Sequence, residues 1–336
     1  MLAVVGISYY KNQFSLSING VKIDKEEFLK AAEEKKYDVS SYFSGKSGAS
    51  INRSFWNTQI DGEIPAEKLA DAALWELKEI HAVYGLAQEK GYVEDGSYQG
   101  LVERWETENK SRADKVAKGE PVYGLSEFTL ELYREYEMDS IQKQYCADLN
   151  NEGMEISDED REQYYEEKKD QLFRRDDDIA LDYVKIPYTQ EGMDEGRKDE
   201  LHSILTQIYK DMDAEHFLAE LAGQESQILP YLKQQEFSSG EAGVYSRVLG
   251  DILEYAWELK TGESTAVLDE NGALYLVQCS ERTENGYIPI DEVQDHINKA
   301  LREERYDEIV KKRAEEAKVE GDQERIYFFM KKHIEK

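Results

Sequence analysis

The chain has 336 residues, with 42 Lys+Arg against 72 Asp+Glu and a formal net charge of −30 at pH 7. That charge repels phosphate backbones and offers them no counterion release, so nucleic acid is disfavoured as a partner. The length suggests about two domains, and hydrophobic residues at 40% with aromatics at 11% are enough for real cores.

Cys146 and Cys279 match no zinc or redox spacing and read as buried free thiols, with one disulfide as the alternative. The histidines (His81, His202, His216, His296 and His333) form no HxH or HExxH pair, so neither a metal nor a cofactor is expected. No GxGxxG, Walker A or GxSxG segment supports a nucleotide or α/β-hydrolase reading.

In chain order, Met1–Ile7 is an apolar run, too short to span a membrane and lacking a basic flank. It reads either as the tail of a signal or anchor segment or as a first strand. Phe14–Ile23 alternates in polarity around Asn19-Gly20, the pair that supplies the positive φ angles of a tight primed turn. Asp24 with Glu27 forms a capping box that starts a helix through Phe28 and Leu29. Residues 40–63, rich in Ser, Gly and Asn, read as a long loop with some helix. Pro65 opens a strong helix with Leu69, Ala73, Leu77, Ile80 and Tyr84 at helical spacing. Further helices are predicted over 95–117, 126–149 and 157–173, so the first half is mostly helical.

Beyond Arg174–Asp178 the character changes. A β-branched and aromatic strand is predicted over 179–188, helices over 191–211, 214–223 and 254–259, and a hairpin from Thr265–Leu268 and Ala273–Cys279. A long charged helix from Asp291 to about Lys318 carries one narrow apolar stripe, and Ile326–Met330 forms a last apolar patch that needs a partner. The fold class is therefore α+β. A mainly helical domain, 1–173 completed by 290–336, is interrupted by an α+β module, 176–285, with a four-stranded antiparallel sheet flanked by helices.

Several segments, in this order, resemble the SurA/PrsA-type foldases, exported chaperones that carry a parvulin-type prolyl isomerase module. They are Ser17–Phe28 (SINGVKIDKEEF), Ile156–Glu166 (ISDEDREQYYE), Leu218–Ser226 (LAELAGQES), Ser239–Arg247 (SGEAGVYSR) and Glu258–Ser264 (ELKTGES), with the helix from Ile290 as the return to the helical domain. The parvulin pattern has a histidine in its first strand and another in its last. Here those places fall on Asp182 and Leu274. The resemblance implies a proline-ring pocket at Tyr245, Leu249, Ile252 and Trp257, with Asp182 as a candidate polar group.

Prolyl isomerisation breaks no bond but must hold a twisted amide against roughly 18–20 kcal/mol of resonance. Without the histidine pair, the expectation is a foldase that binds unfolded or partly folded exported polypeptides through a non-catalytic parvulin-like module. An active prolyl isomerase and a dedicated partner of one secretion or assembly system are the alternatives. The implied location is extracytoplasmic, with membrane anchoring through a segment preceding residue 1. The carboxylate runs at Asp158–Asp160 and Asp176–Asp178 lack the spaced calcium pattern and read as a helix cap and a linker.

Overall fold

The computed structural model describes residues 14–213, 216–238 and 252–334. The chain divides into two compact units, one holding the chain up to Asp158 together with His296 onward, the other Glu159–Asp295.

In the first unit, β1 (Leu16–Ile18) and β2 (Val21–Lys22) form the expected hairpin, with φ positive at both Asn19 and Gly20. Helix α1 (Lys25–Ser47) starts from the Asp24/Glu27 capping box. It does not end near residue 40. Val39, Ser40 and Phe43 are buried, and Phe43 meets Phe55 edge-on at 6.0 Å, so packing carries the helix through a Ser-rich stretch of weak propensity until Gly48 closes it at φ 63°. Helix α2 (Pro65–Glu89) is the most buried helix, contributing Ala66, Leu69, Ala70, Ala73 and Leu77 to the core. Helices α3 (Tyr98–Ala117) and α4 (Leu130–Ala147) pack beside it.

The core of this unit is closed from the far end of the chain. Strand β7 (Val319–Gly321), which sequence periodicity did not reveal, pairs antiparallel with β1 in a sheet of order β2-β1-β7. Helix α10 (Gln323–His333) buries Ile326, Phe329 and Met330. The rings of Phe14, Phe28 and Phe329 cluster with centroids 4.6–6.2 Å apart. A smaller cluster joins Leu86, Tyr145, Met154 and Tyr306, the last from α9 (Ile290–Glu316).

The second unit starts with α5 (Asp158–Leu172), then β3 (Asp178–Ile186), α6 (Glu195–Asp211), α7 (Leu218–Gln224), β4 (Leu232–Phe237), α8 (Ile252–Glu258), β5 (Leu268–Glu270) and β6 (Ala273–Thr283). The four strands form an antiparallel sheet of order β4-β3-β6-β5. The sheet has the four strands expected, but the position of β4 was not read from the sequence. As an edge strand that buries only Phe237, its sequence LKQQEF shows no alternation to read. One face of the sheet buries Val184, Ile186, Leu274 and Leu276 against Leu201, Leu205 and Ile208 of α6 and Leu218 and Ala222 of α7. The other buries Ile179, Leu181, Tyr183, Phe237, Tyr275, Val277 and Cys279 against Ala256 of α8. Entry and exit of the unit run side by side. Ile288 N donates to Phe173 O at 2.7 Å and Arg175 N to Gly286 O at 2.9 Å.

Candidate functional site

Asp182 sits mid-strand in β3, opposite Gln234 of β4 and Gln278 of β6, so three polar side chains line up across the sheet. It is 6% exposed. Its Oδ1 accepts a hydrogen bond from Gln234 Nε2 at 2.8 Å, which compensates part of the cost of burying a carboxylate. Gln278 is engaged elsewhere. Its Oε1 accepts from Leu218 N at 2.8 Å, capping α7 where Phe217 offers no side-chain cap, and its Nε2 donates to Gly262 O at 3.1 Å. This line is built to hold elements together. Leu274 is 0% exposed and packs in the core beneath α6 and α7.

Tyr245 and Leu249 lie outside the described residues, as does the Ser239–Arg247 segment. Ile252 is the first residue of α8. Trp257 packs, half-buried, on the sheet face that carries Leu181, Tyr183 and Tyr275. Strand side chains alternate between faces, so Asp182 falls on the α6/α7 face with Val184 and Ile186, and Trp257 on the opposite one. The structure does not bring Asp182 and Trp257 together. Among the residues that β3 and β6 present on Trp257's face are Tyr183 and Tyr275, each one position beyond Asp182 and Leu274. Tyr183 Oη donates to Gln235 Oε1 at 3.4 Å, Lys185 Nζ lies 5.4 Å from the centroid of the Tyr275 ring, and burial pushes the Tyr183 phenol up. Both rings are buried.

The carboxylate run beside β3 is also accounted for in part. Asp177 Oδ2 accepts from Arg282 Nη1 at 2.6 Å, while the rest of that guanidinium caps α8 by donating to the carbonyls of Trp257 and Leu259. Among the described residues, no group of three or more His, Cys, Asp or Glu is placed to hold a metal ion.

Open clefts in the helical unit include two that periodicity gave no sign of. One, of about 690 Å³, lies among β1, β2, α2 and α9 and is lined by Ile18, Val21, Ala82, Gly85, Ile309 and Arg313, among others. The other, of about 590 Å³, lies between the starts of α1, α3 and α4, with Tyr98, Val102, Trp105 and Phe128 as its apolar wall. Buried polar pairs brace the helices around them. His81 Nε2 and Glu27 Oε1 are 2.7 Å apart, and the same Glu27 carboxylate completes the capping box. Arg104 holds Glu137 through two nitrogens at 2.7 and 2.9 Å, and the hydroxyls of Tyr84 and Tyr133 donate to the same carboxylate. Burial and then Glu137 push the Tyr84 phenol up, so it stays protonated and donates. The spacing of the capping box pointed to Glu27; nothing local to α4 pointed to Glu137. Exposed aromatic surface is present too, with Tyr123 at 87% and Tyr37 at 79%.

The chain is similar to proteins named as chaperones or foldases, PrsA among them. It is 32% identical over 145 residues to the chaperone for lacto-N-biosidase of Bifidobacterium longum subsp. longum, a match covering 43% of this chain and 52% of that protein. It is 23% identical over 255 residues to the foldase protein PrsA of Clostridium botulinum, covering 69% of each. The chain thus spans about half the length of the bifidobacterial chaperone. Among solved structures, a SurA-like chaperone of Campylobacter jejuni shares 15% identity over 91% of this chain and 98% of that one, with a TM-score of 0.28. PrsA of Bacillus anthracis shares 18% over 72% and 95%, with a TM-score of 0.23. No protein-family model matches the chain.

Proposed function

We propose that the chain is an extracytoplasmic chaperone that assists folding by binding unfolded or partly folded polypeptides, and that its sheet module does not isomerise prolyl bonds. The observation that carries the second part is the packing at the two places where the parvulin pattern has histidines. Leu274 is sealed in an apolar core, and Asp182 faces α6 and α7, on the other side of the sheet from Trp257. A catalyst of amide rotation needs its polar group and its proline pocket to touch one peptide. The PrsA and chaperone relatives support the first part, as do the clefts of the helical unit. Among the described residues no helix is long and apolar enough to cross a membrane.

The test follows prolyl cis/trans exchange in a short proline peptide by NMR, beside light scattering from an aggregating unfolded protein. The expected result is no acceleration at catalytic concentrations and suppression of aggregation near equimolar chaperone. Acceleration would overturn the non-catalytic reading and make Asp182→Ala the next variant. A second reading, a chaperone devoted to one exported enzyme, is favoured by the bifidobacterial relative, which is named for a single client. Suppression confined to one client would select it over the general role.

A further inference from the structure

The groove between α1, α3 and α4 has a charge pattern that its own residues leave unbalanced. Its apolar wall is Tyr98, Val102, Trp105 and Phe128, and its rim carries Asp24, Glu26 and Glu127. The wall is held rigidly. Trp105 Nε1 donates to Phe128 O at 2.8 Å, and the Asn109 side chain both donates to Phe128 O at 2.9 Å and accepts from Phe128 N at 2.8 Å. Lys30 is the basic residue of the lining, and it is paired with Glu131 at 2.5 Å. Asp24 accepts from Glu26 N at 2.8 Å as a helix cap. The Glu26 and Glu127 side chains have no hydrogen-bond or ion-pair partner among the described residues.

Three helix N-termini near the groove each bring roughly half a positive charge. Against three carboxylates the sum stays negative. The phenol of Tyr98 reports the same field, pushed up by burial and then by Glu26, Glu27, Asp24 and Glu131.

We infer that this groove takes an arginine or lysine of an extended client segment, its cation at Glu26 and Glu127 and the apolar stem and neighbouring residues against Trp105 and Phe128. Charge complementarity selects this occupant. A guanidinium or ammonium lays its methylenes along apolar surface while its head stays at the wet rim. Such a head also gains from an aromatic face. A second copy of this chain, at −30, is repelled. The inference rests on the chaperone reading and gives it a client class: basic segments with apolar neighbours.

The test uses the full chain and a fluorescein-labelled, unstructured peptide of Gly, Ser and Leu carrying arginines, against the same peptide with glutamines in their place. The arginine peptide should bind more tightly, and its advantage should shrink as salt rises from about 50 to about 300 mM. Glu26→Gln with Glu127→Gln should weaken it about tenfold and leave the glutamine peptide unchanged. Glu127→Lys should reverse the preference toward a glutamate peptide. Equal affinity for both peptides, or an unaltered preference in the double variant, overturns the groove assignment. Aggregation suppression by the wild type separates the two ideas. If suppression persists while the preference is absent, the groove assignment falls and the chaperone reading stands; if suppression is absent as well, both fall.

Discussion

Arg282 shows how much of the sheet module depends on one side chain. It reaches from β6 to close the C-terminal carbonyls of α8, the seven-residue helix that carries Trp257, and it neutralises Asp177, which is buried. A helix this short is not stable by propensity, so its position depends on such ties. Arg282→Ala would leave a buried carboxylate unpaired and two carbonyls without a donor. The expected cost is about 3 kcal/mol, and Asp177→Asn in the same chain should recover about 1 kcal/mol. Urea denaturation of the two variants checks this. An Arg282→Ala midpoint equal to wild type would mean that Asp177 finds solvent and that the cap is dispensable.

At the scale of elements, the connection from α1 to α2 is clamped by one carboxylate. Glu63 accepts from Lys46 Nζ at 2.9 Å, Tyr42 Oη at 2.9 Å and Lys68 Nζ at 3.2 Å, with Tyr42 and Lys46 on α1 and Lys68 on α2. Lys46, then Tyr42 and Lys68, lower its carboxyl from the ordinary 4.5 to about 2. A carboxyl held low in the folded state adds stability that is complete above its unfolded value and is lost as pH falls through its folded one. The clamp should therefore persist through mild acid and release between about pH 4.5 and about pH 2. Carboxyl-detected NMR should place the Glu63 midpoint near that lower limit, and Lys46→Ala should move it part of the way back. An unchanged midpoint in Lys46→Ala would remove Lys46 as the main cause.

The same scale explains which elements were legible. Turns and caps are local chemistry: Asn19-Gly20, the Asp24/Glu27 box and Pro65 all sit where their sequence placed them. The β5–β6 turn follows the same chemistry, with Asn271 and Gly272 both at positive φ, and a Cβ on Gly272 would come within 2.6 Å of Thr189 Oγ1. What was hidden depends on partners far along the chain. Strand β7 is three exposed residues whose only signal is pairing with β1, roughly 300 residues earlier. The candidate site suffered from the same limit. A motif can place Asp182 and Leu274 in strands, but one residue of register decides which face they occupy. Here that residue separates them from Trp257 and puts Tyr183 and Tyr275 in their stead.

For the whole molecule, the consequential fact is that the helical unit is made from both ends of the chain. Strand β7 supplies one edge of its sheet, and α10 gives its core Ile326, Phe329 and Met330, with Tyr327 Oη bonded to Asp71 and Lys331 paired with Glu67 on α2. Burying three large apolar side chains contributes on the order of 6 kcal/mol, comparable to the roughly 5–15 kcal/mol that holds a whole domain folded. Among the described residues the sheet unit draws none of its core from this region: those packed on either face of its sheet lie between Ile179 and Cys279. Ending the chain after Lys318 should therefore unfold the helical unit and leave the sheet unit folded. Calorimetry should show the loss of one transition, and limited proteolysis should leave a resistant fragment close to 159–295. If the shortened chain kept both transitions, the helical core would be closed without its C-terminal segment. If it lost both, the two units would fold only as one cooperative body.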